Sequence, residues 1–248
     1  MLYLSWKQRS SCPKSRGELL LVAANLFPET SFTNSKSRLN LVIVRLAHVY
    51  GDYASQFVAT ALSMARVYQH LEEEMKWLWT KDLRVNTVHI TDVTRALFNI
   101  ADWYAGDKTN WDVKAMGNVP VFNVVDKGQT SQGTMAGIIG ELFGIKTGFQ
   151  GQIISTFARM NIDSVVDDVN DEVLQPWADL LEDAGITRPG PVTPFMEKEL
   201  LKDTDLSMDG SRIEKVLGFT YAHPKITKEL VQEMIDSYIR IGWWPVAK

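Results

Sequence analysis

The sequence predicts an α/β fold over its first 145 residues and a mainly helical remainder. Three observations carry that expectation. Two short apolar runs, at 39–44 (LNLVIV) and 121–125 (VFNVV), lack the alternation of a half-exposed strand, as strands do when helices cover both faces of a parallel sheet. Apolar residues at helical intervals separate and follow these runs. Beyond residue 147 the strand-like runs fade while the helical stripes continue.

At 248 residues the chain is long enough for one large domain, or a domain with an added lobe. A formal net charge of −4, with acidic and basic residues interspersed, argues against a polyanion-binding surface, so no nucleic-acid partner is expected. The single cysteine, Cys12, excludes an internal disulfide and fits a reducing compartment. The longest apolar run, 19–27, is too short to span a bilayer, and charges within 1–11 occupy the place of an export signal's apolar core. These features lead us to expect a soluble, cytoplasmic protein with no membrane partner.

In chain order, residues 1–13 show no pattern. Residues 14–26 read as a helix with Leu19, Leu20, Val22, Ala23 and Leu26 on its apolar face, ended by Pro28 and followed by a polar loop at 29–38. The run from Leu39 to Gly51, LNLVIVRLAHVYG, reads as a buried strand carrying Arg45, His48 and Tyr50 at its carboxyl end. In open α/β sheets ligands bind outside the carboxyl ends of the strands, so this end is a candidate site wall. A helix over 54–71 follows, with Phe57, Ala61, Met64, Ala65 and Tyr68 at helical spacing. Glu72–Glu74 read as a solvated helix end, and Trp77, Leu78 and Trp79 as a short strand or hairpin.

Residues 85–90 run into Thr91, a good N-cap, with Asp92 in the first turn of a helix whose buried stripe is Val93, Ala96, Leu97, Ile100 and Trp103. Gly106 lies just past its end. After the strand at 121–125, Gly128 turns the chain and Ser131 caps a helix running to Phe143 and stopped by Gly144. Gly133, Gly137 and Gly140 fall inside that helix, at close-packing intervals and not in a turn. Residues 163–183 carry an apolar stripe, while Asp167, Asp168, Asp171, Glu172 and Asp179 form a solvated face; no calcium-loop spacing is present and no metal site is expected. A loop at 187–194, a short capped helix at 209–217 ended by Gly218, and an amphipathic helix at 226–241 closed by Gly242, Trp243, Trp244 and Pro245 complete the chain.

Three of these stretches, in this order, resemble the extended short-chain dehydrogenase/reductase family, the NAD-dependent epimerase/dehydratase group. Arg45–Gly51 (RLAHVYG) resembles the family's arginine-to-VYG strand end, Val88–Val93 (VHITDV) its VHVxDV segment, and 121–125 with the capped helix after it its last sheet strand. The resemblance covers roughly 14–244. It implies the C-terminal part of a Rossmann-like parallel sheet plus a mainly helical substrate lobe. Residues 1–145 would form a partial Rossmann-like domain, with a lobe insertion at about 52–84, and 146–248 the helical lobe and C-terminal helix. The match begins partway through the family fold, so the cofactor-binding half is expected to be missing and the form truncated. The strand at Leu39 would then be an uncovered edge through which the chain could self-associate.

The resemblance also implies chemistry: an oxidoreductase or epimerase using NAD or NADP on a small molecule bearing a hydroxyl or carbonyl group. The family's glycine-rich turn, which brings the pyrophosphate against amides at a helix N-terminus, has no counterpart near the start of this chain, leaving cofactor binding by this chain alone open. The family's proton-transfer pair is a tyrosine with a lysine one helical turn later. Lys14, with Glu18 four places on, matches the lysine; Ser10 stands where the tyrosine would be. Tyr3 and Lys7 offer the Y-x-x-x-K spacing as a second pair. Leu46 and Ala47 are the implied cofactor contacts, and His48 and Arg84 the implied substrate contacts, Arg84 standing one residue before the register of the family's diphosphate arginine. Trp77, Trp79 and Trp103 point to an apolar or ring-shaped ligand more than to a diphosphate sugar. The reading set against an enzyme is a non-catalytic binding or interaction module that keeps the substrate lobe.

Overall fold

The computed structural model describes residues 2–6, 19–23, 40–106 and 119–246. Its main sheet holds four strands in the order β1-β2-β3-β7: β1 is Leu2–Trp6, β2 Leu19–Ala23, β3 Asn40–Leu46 and β7 Val121–Val124. β2, β3 and β7 run parallel, and β1 is antiparallel to β2. Val42 and Val44 of β3 are fully buried, as the absence of alternation in its sequence requires.

Three expectations are corrected here. The helix read over 14–26 is replaced, in its described part, by the strand β2. The run LLLVA has no polar residue to reveal a period, so periodicity alone could not separate a buried strand from a helix, and pairing with neighbours on both sides decided it. Residues 1–13, read as patternless, contain β1. The strand at Leu39, expected to be an uncovered edge, lies inside the sheet with β2 on one side and β7 on the other.

After β3 the strand breaks at Ala47, whose N–H still donates to the Val124 carbonyl at 3.1 Å, and continues as β4 (His48–Tyr50). β4 leaves β7 and pairs in parallel with β6 (Thr87–His89), His48 opposite Thr87 and Tyr50 opposite His89. A third pair joins β5 (Met75–Trp77), the short strand read at Trp77, to β8 (Thr147–Phe149), a strand lying beyond the point where the sequence ceased to show any.

The helices are α1 (Val58–Leu71), α2 (Ile90–Ala105), α3 (Gln132–Phe143), α4 (Gln152–Met160), α5 (Ile162–Asp183), α6 (Ser211–Leu217) and α7 (Lys228–Arg240), with a single 3₁₀ turn at Lys198–Leu201. Their ends follow the local chemistry. Ser131 and Thr134 form a capping box on α3, Gly144 closes it in the left-handed conformation, and the Thr227 hydroxyl caps α7. α2 departs from expectation: its N-cap is His89 and not Thr91. The His89 Nδ1 accepts the Thr91 N–H at 3.2 Å, so Thr91 is inside the first turn.

Two large apolar cores result, and a smaller cluster forms around Leu78, Trp79 and Ala158. One joins β3, β7 and Val88 to α2 and α6. The other joins α1, α3, α5 and α7 around Trp177 and Trp244, and takes in Tyr50 from β4. The glycines of α3 do not cradle phosphate. A Cβ at Gly133 would lie 2.9 Å from the Lys81 carbonyl oxygen, so that glycine admits a loop backbone, while Gly137 faces open space. No helix among the described residues is long and apolar enough to cross a membrane.

Candidate functional site

The carboxyl ends of β4, β6 and β7 converge, and polar side chains collect where they do. His48 opens β4. Its ring stacks on Phe57 with centroids 4.0 Å apart and planes 16° from parallel, and burial lowers its pKa to about 4. The imidazole is therefore neutral at physiological pH, with one donor and one acceptor nitrogen. Tyr50, two residues on and completely buried, meets His89 edge-on at 5.1 Å. Its hydroxyl has no hydrogen-bond partner, and burial, with Asp126 and Asp92 nearby, pushes its pKa far above that of an ordinary phenol. Tyr50 stays a neutral phenol.

Beside it, β6 and the turn after β7 make a short relay. Thr87 Oγ1 donates to Asp126 Oδ2 at 2.7 Å, and so the Thr130 hydroxyl, 2.8 Å from Thr87 Oγ1, donates to Thr87. The other Asp126 oxygen accepts the Gly128 N–H at 2.9 Å. Burial raises the Asp126 pKa to about 6 in spite of these donors. Asp92, fully buried in the first turn of α2, accepts the backbone N–H groups of Ala222 and His223, each at 2.8 Å, and pairs with Arg95 at 2.6 Å. That pins the 222–223 segment over the site and lays the His223 ring 4.0 Å from that of His89. Gly51 completes the turn at φ +114°, and a Cβ there would stand 2.8 Å from His89 Nε2.

Adjoining this cluster through Phe57 lies a cavity of about 150 Å³ between α1, β5, α5 and the 3₁₀ turn. Phe57 belongs to both: it lines the cavity and carries His48 on its ring.

Of the residues singled out from sequence, the structure brings Ala47, His48 and Tyr50 together at this strand end. Ala47 is buried beneath it, and Leu46, half-buried, ends β3. Arg84 lies apart: its guanidinium donates to the Gln129 carbonyl, its own carbonyl accepts the Leu206 N–H at 3.1 Å, and it does not line the cavity. Asn123 binds the Asp209 carbonyl at 2.9 Å. Tyr3 lies in β1, a strand, so the helical turn on which a Y-x-x-x-K pair depends is not made from Tyr3 to Trp6; Lys7 and Lys14 lie outside the described residues. Trp103 packs on Phe122 in the sheet core, away from the cavity. Sequence reasoning missed Thr87, Asp126, Thr130 and His223. Only Asp126 carried a signal, as an aspartate two places before a glycine at a strand end, the pattern of an Asx turn.

A dinucleotide makes its own demand on the fold. Its diphosphate needs a helix N-terminus with free amides directly after a strand. α2 begins under its own His89 cap and α3 under the Ser131 box, so neither offers that seat; α4, which follows β8 through Gly151, begins without a side-chain cap. Among the described residues no group of three or more acidic, histidine or cysteine side chains is arranged to hold a metal ion.

No protein-family model matches the sequence, and no curated protein is similar to it. Solved structures do match. A UDP-glucuronic acid 4-epimerase from Bacillus cereus, in complex with UDP-glucuronic acid and NAD, is 12% identical, covers 82% of this chain and 46% of its own, and superposes with a TM-score of 0.44. An enzyme from Bordetella bronchiseptica in complex with NAD and UDP is 13% identical, covering 84% and 47%, TM-score 0.43. A Thermotoga maritima UDP-glucose 4-epimerase with UDP-glucose is 15% identical, covering 81% and 46%, TM-score 0.38. The chain thus spans about half the length of the solved structures it matches.

Proposed function

We propose that this chain is the substrate-binding portion of an NAD(P)-dependent epimerase- or oxidoreductase-like protein, taking a small molecule with a hydroxyl or carbonyl group, and that alone it does not turn that molecule over. The observation that carries the reading is His48: a neutral imidazole just past the carboxyl end of β3, where β4 begins, stacked on Phe57, which also lines the cavity. A neutral imidazole donates to a carbonyl oxygen or accepts from a hydroxyl without changing charge, which suits positioning. NAD(P) bound in such a protein would supply hydride transfer.

Two features support the lack of turnover. The helices that follow the strands at the site, α2 and α3, begin under side-chain caps and not under free amides. Among the described tyrosines whose pKa is shifted (Tyr50, Tyr68, Tyr104, Tyr221 and Tyr238), every pKa is raised, away from what a tyrosine base needs. In a related protein that does turn its molecule over, Lys14 would match the proton-transfer lysine. Titration with NAD(H) and NADP(H) tests the proposal: no dissociation constant below about 100 μM is expected. A tighter value accompanied by reduction of a ketone would make the chain an enzyme in itself. Histidine-ring NMR, with small alcohols and ketones added in turn, should move the His48 resonances; a set of probes that leaves them all unmoved overturns the site.

One observation favours a second reading, an interaction module. On α4, Ile153 and Met160 are 88% and 77% exposed, with Phe157 between them about half exposed. A pull-down that recovers a stable stoichiometric partner, lost in an Ile153→Lys variant, would support it.

A further inference from the structure

The cavity beside His48 has a size, a wall chemistry and two unanswered polar atoms. At about 150 Å³ it matches the volume at which a dry, apolar engineered cavity in another protein accepts benzene. Its wall is mostly apolar, with Phe57, Met64, Met75, Trp77, Val165 and Met196 among the lining residues. Methionines are unbranched and adapt their shape to an inserted ring. Two lining side chains, each at least nine-tenths buried, end in a polar atom with no partner: the Trp77 indole N–H, a donor, and the Gln132 amide oxygen, an acceptor; both atoms are closed off from open space, so a ligand meets them as those side chains turn toward it. A buried polar atom without a partner is costly, and a ligand that supplies one recovers the loss. The charges on the wall are unsuited to an anion. Lys76 is ion-paired with Glu74 at 3.4 Å, and Glu172, accepting from the Tyr68 hydroxyl at 2.9 Å, adds a carboxylate.

We propose that this cavity binds an uncharged compound with a single six-membered ring bearing one carbonyl or hydroxyl oxygen, and not a sugar nucleotide, with the indole N–H of Trp77 donating to that oxygen and the Gln132 amide oxygen accepting from a hydroxyl. This rests on the reading of the chain as a substrate-binding portion and names the class of molecule it takes.

The probes are acetophenone, 1-phenylethanol and UDP-glucose, titrated into the full chain without cofactor by calorimetry. Both aryl probes are expected to saturate with dissociation constants below about 1 mM, and UDP-glucose is not. Acetophenone can only accept, so Trp77→Phe should weaken it roughly tenfold. The hydroxyl of 1-phenylethanol can also donate, so Gln132→Leu should weaken it roughly tenfold and leave acetophenone within twofold. Because Gln132→Leu removes an unpaired polar atom it should fold at least as well as the parent, which keeps the test available if Trp77→Phe does not. Unchanged acetophenone affinity in folded Trp77→Phe, or unchanged 1-phenylethanol affinity in folded Gln132→Leu, would overturn the proposal, as would failure of the aryl probes to saturate. UDP-glucose binding in preference to the aryl probes would overturn the ligand class while leaving the substrate-binding reading intact.

Discussion

At the scale of single residues, the site is held by positions that tolerate no exchange. Gly51 is the clearest. Its φ of +114° lies where a side chain is strained, and a Cβ would press on His89 Nε2 and Ile90 Cγ2, both at 2.8 Å. Gly51→Ala should therefore lower stability by about 2 kcal/mol or more, read from denaturant unfolding, and should disturb the His89 ring in NMR spectra. Only a full return of the parent's midpoint would show that the turn relaxes freely. His48 and Asp126 give a second test, because their titrations oppose each other. The Asp126 carboxyl is raised from 3.8 to about 6, so between these values the folded form holds a proton that the unfolded form has lost, and stability falls as pH rises. His48 is lowered from 6.5 to about 4, so between these values the unfolded form holds the extra proton, and stability rises with pH. Each amounts to about 3 kcal/mol across its window, and the two nearly cancel from pH 4 to 6. His89, also lowered, adds to the rise. Asp126→Asn should then show a stability that climbs through this range, and His48→Phe one that drops. Parallel profiles in the two variants would contradict the opposition.

At the scale of elements, what could be read from the sequence was whatever local chemistry alone decides. Ser131, Gly144 and Gly218 announced helix ends because a cap or a left-handed residue acts within one turn. The strand at Leu39 and the position of His48 at its end were legible for the same reason. β2 was not, because LLLVA has no period and its identity depends on partners far away in sequence. The Thr87–Asp126–Thr130 relay was hidden for a related reason: it joins a strand to a turn 39 residues later, and no local pattern marks such a meeting. The α3 capping box makes the local rule testable. The Ser131 hydroxyl accepts the Thr134 N–H at 3.3 Å, and the same segment carries the Gln132 whose amide oxygen faces no partner. Ser131→Ala should cost about 1 kcal/mol, seen as a lower urea midpoint at unchanged slope. A loss below a few tenths would mean that the tertiary contacts of α3 hold its first turn without the cap.

At the scale of the whole molecule, the site lies on the seam between two cores. One strand supplies both: Ala47 packs with the sheet, α2 and α6, and Tyr50 with α1, α3, α5 and α7, leaving His48 between them. The second core depends on the chain's C-terminal turn. Trp244, almost fully buried, meets Trp177 at 5.9 Å, Tyr238 at 6.1 Å and Phe143 at 6.2 Å, and the following carbonyl, of Pro245, accepts the Arg66 guanidinium at 3.0 Å. Gly190 lets its loop lie against Trp243, where an added Cβ would stand 2.3 Å from the ring. Removing the Trp244 ring leaves a void that three helices share, and large-to-small changes of this kind cost about 3–5 kcal/mol. Trp244→Ala should therefore lower the melting temperature sharply. Hydrogen exchange locates the effect: amides of α1, α3, α5 and α7 should lose protection while those of β7 and α2 keep theirs, because the second set packs in the other core. Ring resonances of His48 should broaden in the same variant, since Phe57 anchors the histidine to the weakened core. Equal loss of protection in both sets would show that the two cores unfold as one unit and that His48 is embedded in a single structure, with no seam for a ligand to bridge.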